Sequence, residues 1–261
     1  MSTEARGRPA KATAVYYGCL KYQARSLEKL HAAFDVIELA SPAEDSAEVL
    51  ARAEVLFAPL GHQVDAAKID ACPRLKVVAS NTTGHPHIDV DYCRQRGVAV
   101  ACLKFAPDFL RSITPTAELT FGLIIALTRR LIPASQAALA GSWDRRPHGA
   151  PSMLSRMKLG VVGLGRLGGW VAQYGRAFGM EVGYFDPFVE SAEVRRFGDL
   201  EDLAAWCDIL SIHAPHENDT EGLISAAVIG RLRRGSYLVN TARGELLDWP
   251  AVLAGLESGR L

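Results

Sequence analysis

Apolar residues fall into short runs rich in β-branched side chains, separated by amphipathic stretches of helical length, and this alternation persists through most of the chain. TAVYYG (13–18), DVIEL (35–39), EVLFAP (54–59), LKVVAS (75–80) and VAVAC (98–102) read as strands. Between them, QARSLEKLHAAF (23–34) and AAKIDAC (66–72) read as helices. The strands show little in-and-out alternation, which predicts a parallel sheet covered on both faces. A second series follows an interruption: KLGVVG (158–163), EVGYFD (181–186), DILSIHA (208–214) and SYLVNTA (236–242). The stretch TPTAELTFGLIIALTRRL (114–131) reads as a long apolar helix, with Thr114 placed to cap it and Pro115 in its first turn. The pattern predicts two doubly wound α/β parallel-sheet domains, residues 1–110 and 111–261, with the boundary within 107–112.

Composition narrows what these domains can do. Lys plus Arg equals Asp plus Glu at 29 each, so no global basic field is available to hold nucleic acid. The cluster RLRRG (231–235) reads as the cationic last turn of a helix. The longest apolar run, LTFGLIIALT (119–128), falls short of the roughly 20 residues that span a bilayer. MSTEARGRPAKAT lacks the apolar segment of a secretory signal and reads as a short disordered lead-in. The five cysteines are scattered and form no CxxC pair. They read as small core residues in a protein of the reducing cytoplasm, without a disulfide framework or a metal.

The second series opens on a glycine-rich turn, Gly163-Leu164-Gly165-Arg166-Leu167-Gly168, set between a strand and a helix whose Leu167, Val171, Tyr174 and Phe178 fall at helical spacing. Gly163 permits the tight turn, Gly165 lets a pyrophosphate approach the backbone, and Gly168 lets the helix pack closely on the strand. The helix N-terminus then offers N–H groups and a positive dipole end. The next strand ends in Asp186, 18 residues past Gly168, where a carboxylate can bond a ribose 2′-hydroxyl and repel a 2′-phosphate. These features predict NAD as the cofactor.

With further motifs the chain resembles the D-isomer-specific 2-hydroxyacid dehydrogenases, the phosphoglycerate dehydrogenase-like members most nearly. SNTTGHPHIDVDYCRQRGVAV (80–100) is similar to the family's substrate loop, and LVNTARGELLD (238–248) to its arginine motif. SIHAPHENDTEGLI (211–224) resembles the segment lining the nicotinamide, and AGSWDR (140–145) the arm that follows the crossover helix. The resemblance implies a flavodoxin-like substrate domain and a Rossmann-type NAD domain. It also implies hydride transfer between nicotinamide and C2 of a 2-hydroxy or 2-oxo acid, and a homodimer formed through 114–150. Residue by residue, it places Thr82, Thr83, Gly84 and Arg243 at the substrate, with Arg243 catalytic. It places Thr83, Gly163, Gly165, Arg166, Leu167, Gly168, Asp186, His213, Ala214, Thr241, Ala242 and Arg243 at the cofactor. An arginine at the carboxyl end of a parallel strand suits this task, because its fixed fork grips both oxygens of a 2-oxo acid. Gly84 is expected to supply unusual dihedrals, and Asp89 to cap the following helix. NTARGELLD favours this family over alanine dehydrogenase or adenosylhomocysteine hydrolase, which share the two-domain plan.

In the family, the acid/base histidine and its supporting glutamate lie on later strand ends. Here one helix, WPAVLAGLESGRL (249–261), follows the arginine motif. The Rossmann-type domain is therefore expected to be truncated before its last strands. The alternative is a non-catalytic NAD-binding protein or an inactive fragment of such an enzyme. His85 and His87 are candidates to replace the missing acid/base, although His-x-His in a loop reads first as a solvated turn.

Overall fold

The computed structural model describes residues 11–149 and 152–261. The expected lead-in lies, through residue 10, outside the described residues. The chain divides into two compact units, Met1–Ile113 and Thr114–Leu261.

The first unit alternates strand and helix: β1 (Thr13–Tyr17), α1 (Ala24–Ala33), β2 (Asp35–Leu39), α2 (Ala47–Arg52), β3 (Val55–Phe57), α3 (Ala66–Asp70), β4 (Val77–Ala79), α4 (Val90–Gln95), β5 (Ala99–Ala101) and α5 (Pro107–Arg111). All pairings are parallel and the order is β2-β1-β3-β4-β5, the flavodoxin-like order. Val15, Leu56 and Val78 of the central strands are fully buried, against Leu50, Ile69 and Cys93 from the helices.

The second unit contains α6 (Pro115–Thr128), α7 (Leu131–Leu139), β6 (Lys158–Val162), α8 (Arg166–Ala177), β7 (Glu181–Phe185), β8 (Arg195–Arg196), α9 (Leu200–Trp206), β9 (Ile209–Ile212), α10 (Ala226–Arg231), β10 (Tyr237–Asn240) and α11 (Trp249–Glu257). Its parallel sheet runs β10-β9-β6-β7-β8. Counted from β6 that is 3-2-1-4-5 read in reverse, the Rossmann order for five strands. Val161, Tyr184 and Ile209 face one buried layer, while Val162, Leu210 and Ile212 face the other. Both faces of the sheet are covered, so consecutive strand residues are apolar and alternation disappears.

Several local expectations need correction. Thr114 does not cap α6: its hydroxyl donates to the Glu118 carboxylate instead. The single long helix is two helices, α6 and α7, separated by Arg130 in a left-handed conformation (φ 51°). Pro107–Thr128 is long and apolar enough to cross a membrane by length and composition, which the apolar run 119–128 alone did not show. That segment leaves the helix between Arg111 and Pro115, and Ala117, Phe121 and Ile124 are buried in the second unit's core. Of RLRRG, only Arg231 lies in a helical last turn; Arg233 pairs with Asp208 and Arg234 donates to the Ser258 carbonyl. Cys72, Cys93, Cys102 and Cys207 are buried, Cys19 is exposed, and all five are free thiols.

Candidate functional site

The order of the second sheet reverses between β6 and β9, and doubly wound folds hold ligands outside the carboxyl ends of their strands at such a point. The glycine turn leaves β6 there. Gly163 has φ +86°, and a Cβ on it would stand 2.9 Å from the Ala214 nitrogen. A Cβ on Gly168 would stand 1.9 Å from the Gly163 carbonyl oxygen, so the first turn of α8 rests directly on the turn backbone. Gly165 differs from both. Its backbone (φ −68°, ψ −160°) suits any residue, and a Cβ there would meet nothing within 4 Å. Packing and conformation demand glycine at 163 and 168; at 165 they leave open space.

Gly165 also occupies the N-cap of α8, which therefore has no side-chain cap. In the same unit Asp199, Ser225 and Asp248 cap α9, α10 and α11. The first N–H groups of α8 have no intrahelical acceptor, and its dipole favours an anion at that end. Arg166 and Leu167 begin the helix, and the half-buried Leu167 packs on the core.

Asp186, at the carboxyl end of β7, is buried and heavily bonded. One carboxylate oxygen accepts the Leu164 N–H at 2.7 Å; the other accepts Phe188 N–H at 2.8 Å and Val189 N–H at 2.9 Å. It thus ties the glycine turn to the loop after β7 and keeps about one of its roughly four lone-pair positions for a ligand.

His213 and Ala214 follow β9. Their backbone borders Gly163, while the His213 ring turns to Ser211, with Nε2 2.8 Å from the hydroxyl. Burial holds this imidazole down to about 4 from an ordinary 6.5. Between those values the unfolded chain binds the extra proton and the fold does not. Stability therefore falls as the pH drops from 6.5 toward 4, by up to about 3 kcal/mol. Urea unfolding at pH 7 and pH 4.5 checks this: the loss should shrink in His213→Gln, and equal losses in both proteins would refute it.

At the carboxyl end of β10, Asn240 braces the arginine motif. Its Oδ1 accepts from Ala242 N–H at 2.9 Å and its Nδ2 donates to the Arg243 carbonyl at 2.7 Å. The buried Thr120 hydroxyl donates to the Thr116 carbonyl, so in its 2.7 Å pair with Thr241 it accepts. That pair ties α6 to the same turn. The Arg243 side chain is exposed and donates to the Ala242 carbonyl at 2.7 Å.

Thr82, Thr83 and Gly84 lie in the first unit, past the carboxyl end of β4. Thr83 and Gly84 are exposed, and the Thr82 hydroxyl donates to the Gly84 carbonyl at 2.6 Å. Gly84 is not in the left-handed region and a Cβ on it would touch only Pro86, at 3.7 Å, so unusual dihedrals do not account for it. Asp89 caps α4 as expected, accepting from Tyr92 N–H at 2.9 Å. His87 is not solvated: it is 2% exposed, with Nε2 3.3 Å from the Ser80 hydroxyl. His85 stacks on Phe105 with ring centroids 6.4 Å apart.

Sequence reasoning did not find Asn240, Thr120, Ser211 or Ser80. Each is a small polar residue whose partner is fixed only once strands and helices are assembled. Asn240 and Ser80 alone left a signal, each a polar residue at the end of an apolar strand.

The family described as D-isomer specific 2-hydroxyacid dehydrogenase, NAD binding domain, matches residues 121–261, more than half of the chain. The chain belongs to this family, and the matched segment is an NAD-binding Rossmann unit. It is 35% identical over 191 residues to D-3-phosphoglycerate dehydrogenase of Bacillus subtilis, covering 72% of this chain and 35% of that protein. It is 33% identical over 218 residues to glyoxylate reductase of Thermofilum pendens, covering 79% of this chain and 62% of that one. The chain thus spans less than two thirds of the length of these relatives. Among solved structures, D-lactate dehydrogenase from Aquifex aeolicus, complexed with NAD and lactic acid, superposes with a TM-score of 0.77 at 26% identity. That match covers 95% of this chain and 74% of the other.

Proposed function

We propose that the chain is the NAD-binding and substrate-gripping part of an oxidoreductase that transfers a hydride between nicotinamide and C2 of a 2-hydroxy or 2-oxo acid. Gly165 carries this reading, because nothing in the fold requires glycine there except room for a group at the uncapped start of α8. Gly163, Gly165, Arg166, Leu167 and Gly168 hold the pyrophosphate, and Asp186 bonds the adenosine ribose and repels a 2′-phosphate. The backbone of His213 and Ala214, with Thr83, Thr241, Ala242 and Arg243, borders the nicotinamide, which when bound exchanges the hydride.

Thr82, Thr83 and Gly84 present backbone N–H groups to the substrate carboxylate. Arg243 releases the Ala242 carbonyl and forks the acid's oxygens, polarising the C2 carbonyl for hydride addition. His213, held neutral and turned to Ser211, does not supply the proton for the C2 oxygen. The chain is a cytoplasmic protein, a reading supported by its five free thiols. It forms a homodimer through 114–150, supported by exposed Leu119, Leu127, Ile132, Leu139 and Trp143.

NADH fluorescence titration followed by a turnover screen over 2-oxo acids tests the reading, with sedimentation to give the oligomeric state. NADH should bind at least about tenfold more tightly than NADPH, a difference of about 1.4 kcal/mol. No NADH binding would overturn the cofactor assignment, and a monomer would overturn the dimer. The second reading is a non-catalytic NAD-binding protein or an inactive fragment of such an enzyme. NADH binding without turnover of any 2-oxo acid would select it.

A further inference from the structure

We infer that His87 is a positioning residue for the 82–84 loop, starting a one-way chain of three hydrogen bonds that ends on the Gly84 carbonyl. The inference rests on the proposal that this loop grips a substrate carboxylate.

Proton accounting sets the direction. The Gly84 carbonyl can only accept, so the Thr82 hydroxyl spends its one proton there, at 2.6 Å. In the 2.7 Å contact between Ser80 and Thr82, Ser80 must therefore donate. Its proton is then also spent, so the 3.3 Å contact with His87 needs a proton on Nε2. His87 is the source, Ser80 and Thr82 are relays, and Gly84 is the terminus.

The surroundings support that tautomer. Ser80 and His87 are buried, at 7% and 2% exposure. His87 Nδ1 is buried with no hydrogen-bond partner, which suits a bare nitrogen and not an N–H. Burial keeps the ring below the usual histidine range; the Ala58 backbone opposes it, and the nearby His85 adds a smaller lowering effect. A neutral ring with its proton on Nε2 satisfies the contact with Ser80.

The terminus is where the chain acts on the loop. The Gly84 carbonyl and the His85 N–H share one planar peptide and point in opposite directions. Fixing the carbonyl on Thr82 fixes that peptide plane. The Thr82 carbonyl is tied separately, accepting from Leu103 N–H at 3.1 Å. An exposed loop is thereby held at both ends from a buried ring, so its N–H groups meet a carboxylate already oriented.

The test uses the full chain in four forms: wild type, His87→Phe, His87→Gln and Ser80→Ala. His87→Phe keeps a ring without nitrogen, His87→Gln restores a donor near the Nε2 position, and Ser80→Ala cuts the middle link without adding volume. Hydrogen exchange reads loop order directly. Amides at 82–85 should exchange at least about tenfold faster in His87→Phe and Ser80→Ala, and near the wild-type rate in His87→Gln, in line with one buried hydrogen bond. With NADH saturating, glyoxylate should bind about tenfold more weakly in the same two variants, while NADH affinity stays at the wild-type value in all four. The wild-type imidazole should give the ¹⁵N signature of a neutral ring protonated at Nε2. Wild-type exchange in Ser80→Ala, no rescue by His87→Gln, or an Nδ1-protonated ring would each overturn the inference. A wild type that binds NADH but not glyoxylate would overturn the substrate-loop reading instead, and exchange would still decide what His87 does.

Discussion

Gly168→Ala is expected to cost the second unit about 3 kcal/mol of stability and to weaken NADH binding at least about 100-fold. The added carbon would stand 1.9 Å from the Gly163 carbonyl oxygen and 3.1 Å from a Val161 methyl. The nearer neighbour is backbone of the turn that leaves β6, so no side-chain movement relieves that contact. Helix α8 would have to rise off the sheet, carrying the N–H groups of its first turn away from the Asp186-braced loop. Thermal unfolding and NADH titration check the two losses. Gly165→Ala makes the contrast. Its Cβ enters open space, so it should cost no more than about 1 kcal/mol, the N-cap preference of glycine over alanine. NADH binding should nonetheless weaken at least about tenfold, because the methyl occupies the ligand's approach. Undiminished binding in Gly165→Ala would remove the main support for the cofactor reading.

Arg243→Gln should leave folding unchanged and weaken 2-oxo acid binding about 100- to 10,000-fold. The side chain is exposed and, among the described residues, bonds only the Ala242 carbonyl, so the fold does not depend on it. The substrate loses two charge-assisted hydrogen bonds, each worth about 1.5–3 kcal/mol. Arg243→Lys should fall between the two, since an ammonium supplies charge but no planar fork. Titration of glyoxylate against the NADH complex reads the ranking. Equal affinities across the three proteins would place the carboxylate clamp elsewhere.

Most of the architecture was legible because burying a sheet on both faces leaves uninterrupted apolar runs, and nine of the strands lie within such runs. The exception, β8, is two exposed arginines that pair with Gly183 and Tyr184. Arg195 lies over the Phe197 ring at 4.6 Å, a contact invisible to any periodicity. The glycine turn could be read from spacing alone, but the different reasons for its three glycines could not. Only the assembled backbone separates 163 and 168, which packing demands, from 165, which it does not. Histidines were hardest to read. Sequence treats His87 as a solvated loop residue and places His213 at the cofactor without fixing where its ring turns; the His87 ring is buried and the His213 ring turns to Ser211. The deciding partners, Ser80 and Ser211, are ordinary serines until strand ends and loops converge.

The three amide bonds to Asp186 bear on how a protein like this could change coenzyme. Removing that carboxylate would lift the repulsion against a 2′-phosphate, but it would also unfasten Leu164 from Phe188 and Val189. On the proposed reading, coenzyme preference and scaffold share this one side chain. A switch of coenzyme here needs at least two changes made together, one that admits the phosphate and one that fastens the turn again.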